Sequence, residues 1–229
     1  MDFRIFNDES ITAGFSRAPQ TAEEKFEELK CGLSDGGRIA LMHQVHGTKV
    51  VCITEDMLKP WEMVVDAGEC DGMVTNIPGM VLTSRHADCI PLYFYDPDNG
   101  VKAVSHAGWR GTVNAIASVT IETMKSVYGC RPEDIKAGIG PGIGRCHFEV
   151  SEDVAAEFRE KLPWCAPMTD KGQKPGKYYI DLKEINAELC RLAGVTDITV
   201  SPVCTYCQEA ECFSYRRNGT KLRHLAYIK

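Results

Sequence analysis

The residues best suited to chemistry lie just outside the two strands of a predicted β-hairpin in the middle of the chain. Two apolar runs rich in β-forming residues, 90–95 and 101–104, flank Asp-Pro-Asp-Asn-Gly at 96–100, a composition that favours a turn. Reactive side chains adjoin both runs: His86, Asp88 and Cys89 before the first, His106 and Arg110 after the second. They therefore meet at one end of the hairpin, and such a convergence is typical of a catalytic site.

A further histidine, His46, stands in the segment His-Gln-Val-His-Gly at 43–47. Taken alone, either His43 or His46 is best explained as a histidine at a strand end that hydrogen-bonds to the backbone. If His46, Cys89 and His106 meet, however, they form a zinc set with one open position, which would lower the pKa of a bound water to about 7. Copper accepts the same ligands, but oxidase chemistry with several coppers needs more than the six histidines present.

Two other interpretations of the same residues stay open. Cys89 could be a metal-free nucleophile, with His106 or His86 as its base and Asp88 as the group that orients the base. Arg110, between two glycines at the start of a predicted helix over residues 112–128, fits either a phosphate seat at a helix N-terminus or an ordinary turn with an exposed arginine. A non-enzymatic binding module leaves the clustering of these side chains unexplained.

The elements that must position these residues are helices and strands that alternate along the chain. Capping patterns predict helices after Thr21, Ser151 and Asp181, and β-rich runs predict strands at 3–6, 38–42, 49–53, 73–75, 80–84, 178–180 and 196–200. The tail at 213–228 is predicted to be a closing hairpin. No linker or repeat divides the chain, so residues 1–229 are predicted to form a single α+β domain with mixed sheets flanked by helices.

Two polar segments have less specific interpretations. Residues 66–72 carry three acids without calcium-loop spacing, which predicts a turn with solvated carboxylates. Cys204, Cys207 and Cys212 suggest a zinc knuckle, but no fourth ligand is spaced to complete it. Reduced thiols in a turn are therefore the prediction, as for the other cysteines among the eleven in the chain.

Composition excludes several classes of partner. The net charge of −6 and the lack of a long basic run argue against nucleic acid. No apolar run reaches the roughly 20 residues of a membrane span, and the first residues lack a signal-peptide core. A cytoplasmic protein with a small-molecule substrate and no membrane partner is expected; its oligomeric state is left open.

A set of ordered motifs resembles the laccase-domain family, known variously as multicopper polyphenol oxidase, peptidoglycan editing factor and purine nucleoside phosphorylase of the laccase-domain type. The motifs are Gln-Val-His-Gly (44–47), Asp-Gly (71–72), Ala-Asp-Cys-Ile-Pro (87–91), His-Ala-Gly-Trp-Arg-Gly (106–111), Ile-Gly-Pro-Gly-Ile-Gly-Arg-Cys-His-Phe-Glu-Val (139–150), Cys-Thr (204–205) and Phe-Ser-Tyr-Arg-Arg-Asn-Gly (213–219). The resemblance covers the chain from about Gln44 to the C-terminus. Before it, only Phe-Ser-Arg at 15–17 matches the family's usual N-terminal pattern, and His86 is an additional imidazole without an assigned role.

This resemblance implies a metal, an activity and a set of contacts. It implies a zinc ion on His46, Cys89 and His106, phosphorolysis of adenosine, inosine, guanosine and methylthioadenosine, and adenosine deamination. The expected substrate-binding residues are Gln44, Asp71, Asp88 and Arg216, and Arg110 is the first candidate to hold phosphate. The alternatives are an amidase that edits peptidoglycan precursors, a metal-free cysteine hydrolase and, less favoured, a copper polyphenol oxidase.

Overall fold

The computed structural model describes residues 2–6, 10–33 and 37–229. Within these ranges the chain forms fifteen strands: β1 Phe3–Arg4, β2 Ala13–Phe15, β3 Arg38–His43, β4 Val50–Cys52, β5 Val64–Glu69, β6 Gly72–Thr75, β7 Met80–His86, β8 Ile90–Asp96, β9 Val101–Ala107, β10 Lys136–Ile139, β11 Glu149–Ser151, β12 Thr169–Lys171, β13 Lys177–Ile180, β14 Asp197–Val200 and β15 His224–Ile228.

Six α-helices lie between these strands: α1 Ala22–Cys31, α2 Trp109–Val113, α3 Ile116–Tyr128, α4 Glu152–Lys161, α5 Leu182–Leu192 and α6 Tyr215–Asn218. Three short 3₁₀ helices cover Glu55–Met57, Pro132–Asp134 and Pro163–Met168. The predicted caps of α1 and α5 are confirmed, since Thr21 and Asp181 each accept a hydrogen bond from the backbone N–H three residues on. Among the described helices, none has both the length and the apolar content needed to cross a bilayer.

Two six-stranded mixed sheets and one three-stranded sheet organise the fold. The first sheet has the order β1-β2-β15-β7-β3-β5, the second β14-β10-β8-β9-β6-β4, and the small third sheet β11-β13-β12. Parallel pairs such as β3 with β7 occur beside antiparallel pairs such as β7 with β15. The α+β class with mixed sheets and flanking helices is therefore confirmed.

The two large sheets pack face to face, and helices cover their outer faces. Alternation along β8 shows how, because Tyr93 joins the apolar cluster shared with the first sheet, whereas Leu92 and Phe94 join the cluster shared with α3 and α5. A strand buried on both faces needs this unbroken apolar run, since successive side chains point in opposite directions. Helix α1 covers the opposite face of the first sheet through Leu29.

The predicted hairpin is confirmed as β8 and β9, which pair antiparallel with Ile90 opposite Ala107 and Pro91 opposite His106. Cys89 directly precedes β8, and His106 lies inside β9 rather than beyond its end. Strand β6 pairs with the other edge of β9, Gly72 opposite Ser105. The second sheet therefore holds the ends of three strands side by side where the reactive residues gather.

Three local predictions are wrong. The helix predicted over residues 112–128 is two helices, because Ala115 adopts the left-handed conformation (φ 58°) and ends the hydrogen-bond ladder of α2. The acidic segment is the end of strand β5 rather than a turn; Asp66 and Glu69 are exposed as predicted, but Asp71 is fully buried. The tail is helix α6, capped by Ser214, followed by strand β15, which pairs with β2 and β7 rather than with its own neighbour.

Candidate active site

The three residues of the expected metal set lie together. One donor atom each from His46, Cys89 and His106 falls within 4.8 Å of the other two, and we call these residues the first cluster. The two imidazole rings meet edge to face with centroids 4.9 Å apart. His46 takes a left-handed backbone conformation (φ 61°), which turns the segment between β3 and β4 toward the hairpin. One thiolate and two imidazoles suit a catalytic metal site with an open position.

Asp71 holds two residues of this cluster in place through hydrogen bonds. Its carboxylate is fully buried and accepts hydrogen bonds from the backbone N–H groups of His46 (3.0 Å) and Gly47 (2.7 Å). His106 Nδ1–H donates to the same carboxylate at 2.9 Å. Burial opposes ionisation, but these bonds hold the pKa of Asp71 below its ordinary value. The carboxylate thus fixes the His106 tautomer and leaves Nε2 to face a metal, as carboxylates commonly do behind metal-bound histidines.

Gly108 leaves the space in which the first cluster meets. A Cβ atom at this position would lie 3.0 Å from His46 Cδ2 and 3.1 Å from Cys89 Sγ. Any larger residue would therefore push two donors apart. The absence of a side chain at Gly108, two residues after His106, therefore allows the three donors to lie close together.

The first cluster is strongly polarised. Burial opposes the thiolate form, yet the neighbouring His106 and His46 imidazoles lower the pKa of Cys89 to about 6. Burial likewise opposes the charged form of His106, but the Cys89 thiolate and Asp71 raise the pKa of His106 to about 9. A cysteine that is a thiolate at neutral pH suits metal ligation and nucleophilic attack alike.

A cavity of about 820 Å³ opens over the first cluster. Four cationic side chains line it, together with two aromatic ones: Arg85, Arg216, Lys221 and Arg223, and Phe148 and Tyr215. Glu23 balances part of this charge, since its carboxylate lies 3.7 Å from the Arg85 guanidinium. A volume of this size accommodates a small organic ligand, and the cationic rim favours an anionic one.

Asp88 and Arg216, both predicted substrate contacts, line the cavity and bond to each other. Asp88 has φ 85°, a strained conformation for a residue with a side chain. Its carboxylate accepts bonds from the Thr205 hydroxyl and from the Arg216 backbone N–H, both at 2.7 Å. The Arg216 guanidinium donates to the backbone carbonyl of Glu149 at 2.8 Å. Asp88 thereby ties the segment before β8 to helix α6.

The other predicted residues are placed differently. Gln44 lines the cavity, but its amide is paired with both backbone groups of Arg85 at 2.8 and 2.9 Å. Asp71 lies beneath the first cluster and outside the cavity lining. Arg110 is exposed, and its guanidinium stacks over the Trp109 ring at 4.3 Å rather than lining the cavity. The structure therefore does not bring Arg110 to the place where a phosphate would meet the first cluster.

His86, a candidate base in the metal-free interpretation and otherwise without an assigned role, is a buried bridge behind the site. Its Nδ1–H donates to the Cys89 carbonyl at 3.1 Å, and its Nε2 accepts from the Ser84 hydroxyl at 2.8 Å. Burial holds the pKa of His86 well below its ordinary value. A neutral imidazole in this position fixes the backbone of Cys89. The sequence also missed Lys221 and Arg223, which line the cavity beyond the matched motifs.

The prediction that Cys204 and Cys207 lack further ligands is wrong. Cys146 and His147 approach them from a segment about 60 residues earlier, and the four donor atoms lie within 4.8 Å of one another. Spacing along the chain could not reveal this group because its halves belong to different turns. All eleven cysteines are free thiols.

A sequence model of the family described as multi-copper polyphenol oxidoreductase laccase matches residues 12–229. The chain belongs to this family. The match begins well before Gln44, so the laccase-family resemblance extends further toward the N-terminus than the motifs indicated.

Relatives within the laccase family carry several names. The chain is 37% identical over 190 residues to the purine nucleoside phosphorylase YlmD of Geobacillus stearothermophilus, a match that covers 81% of the chain and 69% of the relative. It is 40% identical over 182 residues to a purine nucleoside phosphorylase of Deinococcus radiodurans, covering 79% of the chain and just under two thirds, 65%, of the relative. It is 34% identical over 185 residues to adenosine deaminase RL5 of an unknown prokaryotic organism, covering 79% and 70%.

Solved structures confirm the fold. The crystal structure of YlmD from Geobacillus stearothermophilus superposes with a TM-score of 0.82 at 29% identity, covering 99% of this chain and 98% of that one. The laccase-family architecture is thus shared over essentially the whole length of the chain.

Proposed function

We propose that this protein is a zinc-dependent purine nucleoside phosphorylase with adenosine deamination as a companion activity. The observation that carries the proposal is the position of the first cluster, His46, Cys89 and His106, at the base of a cavity with a cationic rim. The names of its relatives support the same activities. His46, Cys89 and His106 would hold a divalent ion, which would supply Lewis-acid chemistry and a nucleophile at neutral pH.

The cavity is lined by groups suited to both substrates. Phe148 and Tyr215 line the cavity, and a purine stacked on an aromatic ring there would gain about 1–3 kcal/mol. Arg216, Lys221 and Arg223 line the same cavity and attract a phosphate dianion. Phosphate held there would attack the ribose C1′ while the C1′–N9 bond breaks, and the purine leaves with a proton. The products are the free base and ribose 1-phosphate.

The remaining residues of the site prepare it for these steps. Asp71 holds His106 in one tautomer, and His86 fixes the backbone at Cys89. Gln44, with both ends of its amide engaged by Arg85, joins β3 to β7 below the cavity rim and positions the segment that leads to His46. We assign Gln44 and Asp71 to positioning, and Asp88 to holding the Arg216 backbone.

The test is turnover of inosine and adenosine with and without phosphate, with ribose 1-phosphate and inosine measured separately. We expect phosphate-dependent base release by the wild type and a loss of at least 100-fold in Cys89→Ala and His106→Ala. Cys31→Ala, at an exposed cysteine outside the first cluster and outside the group of Cys146, His147, Cys204 and Cys207, is the control. Unchanged rates in the two cluster variants, with the control active, would end the proposal.

Phosphate binding is tested by comparing two arginines. Arg216→Ala should raise the KM for phosphate, because this side chain lines the cavity, whereas Arg110→Ala should leave it near the wild-type value. The opposite result would return phosphate binding to Arg110.

Two competing functions can be distinguished by further assays on the same purified protein. Cleavage of a muramoyl-serine amide without nucleoside turnover would favour the peptidoglycan-editing amidase. The polarised Cys89–His106 pair also fits a cysteine hydrolase, which would retain activity after the metal is removed by chelation and would be inactivated by a thiol alkylating agent. A phosphorylase that needs its metal loses activity on chelation and regains it with zinc.

A further inference from the structure

A second group of metal-ligand side chains lies outside the catalytic cavity. It comprises Cys146, His147, Cys204 and Cys207, which we call the second cluster. Cys146 Sγ lies 3.7 Å from both Cys204 Sγ and Cys207 Sγ. His147 Nδ1 lies 3.2 Å from Cys146 Sγ and 3.3 Å from Cys207 Sγ. Three sulfurs and one imidazole nitrogen thus lie within 4.8 Å of one another, and none of them belongs to the first cluster.

Four of the six separations are close to the edges of a tetrahedron around zinc, and the other two are no longer than 4.8 Å. With Zn–S bonds of about 2.3 Å and Zn–N bonds of about 2.0–2.1 Å, tetrahedral coordination places sulfurs about 3.8 Å apart and a sulfur about 3.5 Å from a nitrogen. A disulfide would need one pair of sulfurs at about 2.05 Å. Cys146 is instead equidistant from two partners, which indicates a shared centre rather than a bond between one pair.

The backbone around the second cluster is arranged for thiolates. The Gly144 N–H donates to Cys204 Sγ at 3.2 Å, and a Cβ atom on Gly144 would lie within 3.2–3.4 Å of Cys204 and Cys146 Sγ. A bridge between Gly142 and Cys204 holds the two turns in register. Glycine at 144 therefore supplies both a donor to one sulfur and the room for a second.

The imidazole of the second cluster is oriented by an aromatic neighbour. The His147 ring stacks on Tyr206 with centroids 3.8 Å apart and an angle of 15° between the planes. This contact directs Nδ1 toward the sulfurs of Cys146 and Cys207. A ring fixed in this way loses little freedom when it binds a metal.

A positive side chain lies beside the second cluster. Three thiolates and one neutral imidazole around a zinc ion carry a net charge of −1. The buried Lys183 ammonium donates to the carbonyls of Ser201 and Val203, just before Cys204, and interacts electrostatically with that cysteine. A cation placed there offsets the charge of the filled site.

We propose that the second cluster binds a structural zinc ion, with four protein ligands and no open position. The ion joins the turn after β10 to the turn after β14. Both turns touch the arginines of α6, since Arg216 donates to the His147 carbonyl at 3.1 Å and Arg217 to the carbonyls of Thr205 and Tyr206 at 2.9 Å. The second zinc therefore stabilises the backbone that holds the wall of the active-site cavity.

The test is the metal content of protein purified from cells grown without added metal. We expect about two zinc ions per wild-type chain, about one in Cys207→Ser, about one in Cys89→Ser and none in the double variant, with Cys31→Ser equal to wild type. Wild-type protein with one zinc that Cys89→Ser loses and Cys207→Ser retains would overturn the second site. One zinc that only Cys207→Ser loses would support the second site and contradict the first.

A measurement on the wild type keeps the proposal testable if a variant fails to fold. X-ray absorption at the zinc edge should detect one sulfur from Cys89 and three from the second cluster, shared between two ions. Sulfur coordination no greater than one per zinc would overturn the proposal. Copper in the second cluster would also overturn it. So would a disulfide at Cys146, which mass spectrometry of the digested protein would detect as two linked peptides with two mass units fewer than their sum.

Discussion

Asp71 shows how one buried carboxylate determines the geometry of a metal site at the scale of single residues. It accepts three backbone N–H groups from residues 45–47 and the Nδ1–H of His106. These bonds place two of the three donors of the first cluster, although Asp71 itself does not line the cavity. Asp71 is therefore a positioning residue, although its place in the Asp-Gly motif at 71–72 suggested a substrate contact.

Asp71→Asn should weaken metal binding at the first cluster by roughly 10- to 100-fold, the usual effect of losing such a partner. The amide offers one acceptor where the carboxylate offers two, and it no longer selects the His106 tautomer. Competition with a chromophoric chelator measures the affinity. Asp66→Asn is the matched control, since Asp66 bonds to His43 at an exposed position. An affinity equal to wild type in Asp71→Asn would remove this residue from the site.

At the scale of elements, the segment that follows the His106 motif is built from two helices. Apolar spacing over residues 112–128 predicts one continuous helix, but the chain breaks at Ala115, which precedes α3 in a left-handed conformation. Asn114, at the end of α2, donates its side-chain amide to the Arg110 carbonyl at 2.8 Å. The break lets α3 pack on the second sheet while α2 stays beside the first cluster.

Ala115→Gly should stabilise the protein by about 0.5–1 kcal/mol, because a left-handed alanine costs about 1–2 kcal/mol and glycine returns part of this as chain entropy. The matched control is Ala117→Gly within α3, which should destabilise by about 1 kcal/mol or more. Urea denaturation of the three proteins measures both changes. A destabilised Ala115→Gly protein would indicate that the packing of the Ala115 methyl group outweighs its backbone strain.

At the scale of the whole molecule, the last strand connects distant parts of the chain. β15 lies between β2 and β7, so the N-terminal strands reach the site-bearing part of the fold through the C-terminal strand. His224 begins β15 and is fully buried. Its Nε2 accepts the Phe213 N–H at 2.7 Å, and its ring packs on Phe15 with centroids 4.6 Å apart. This neutral imidazole is part of the core.

Burial lowers the pKa of His224 from 6.5 to about 4, so the folded state binds this proton less readily than the unfolded state. The stability that the neutral ring provides is present above pH 6.5. It falls as the pH drops from 6.5 toward 4, by up to about 1.4 kcal/mol per pH unit. His224→Gln, which keeps an acceptor for Phe213, should show a shallower decline in urea titrations over that range. Equal slopes in the two proteins would contradict the assignment.

The sequence alone determined the class of the fold, the hairpin β8–β9, the caps of α1 and α5, and the approach of Cys89 to His106, whereas His46 was assigned to the first cluster through the family motifs. Periodicity and capping are local, and the reactive residues beside the hairpin are joined by a short turn, so local rules suffice to bring Cys89 and His106 together. It also determined the family, because the motifs occur in a fixed order along the chain.

Only the tertiary structure decided which of these residues face the cavity and which support it. Asp71 is buried because it directly precedes β6, which lies inside the second sheet. Arg110, in the first turn of α2, stacks its guanidinium on Trp109 and does not line the cavity. The second cluster is the clearest case. Its halves are about 60 residues apart, and the parallel pairing of β10 with β14 aligns the two turns that carry them. Contacts across a sheet depend on strand order, which residue spacing does not encode.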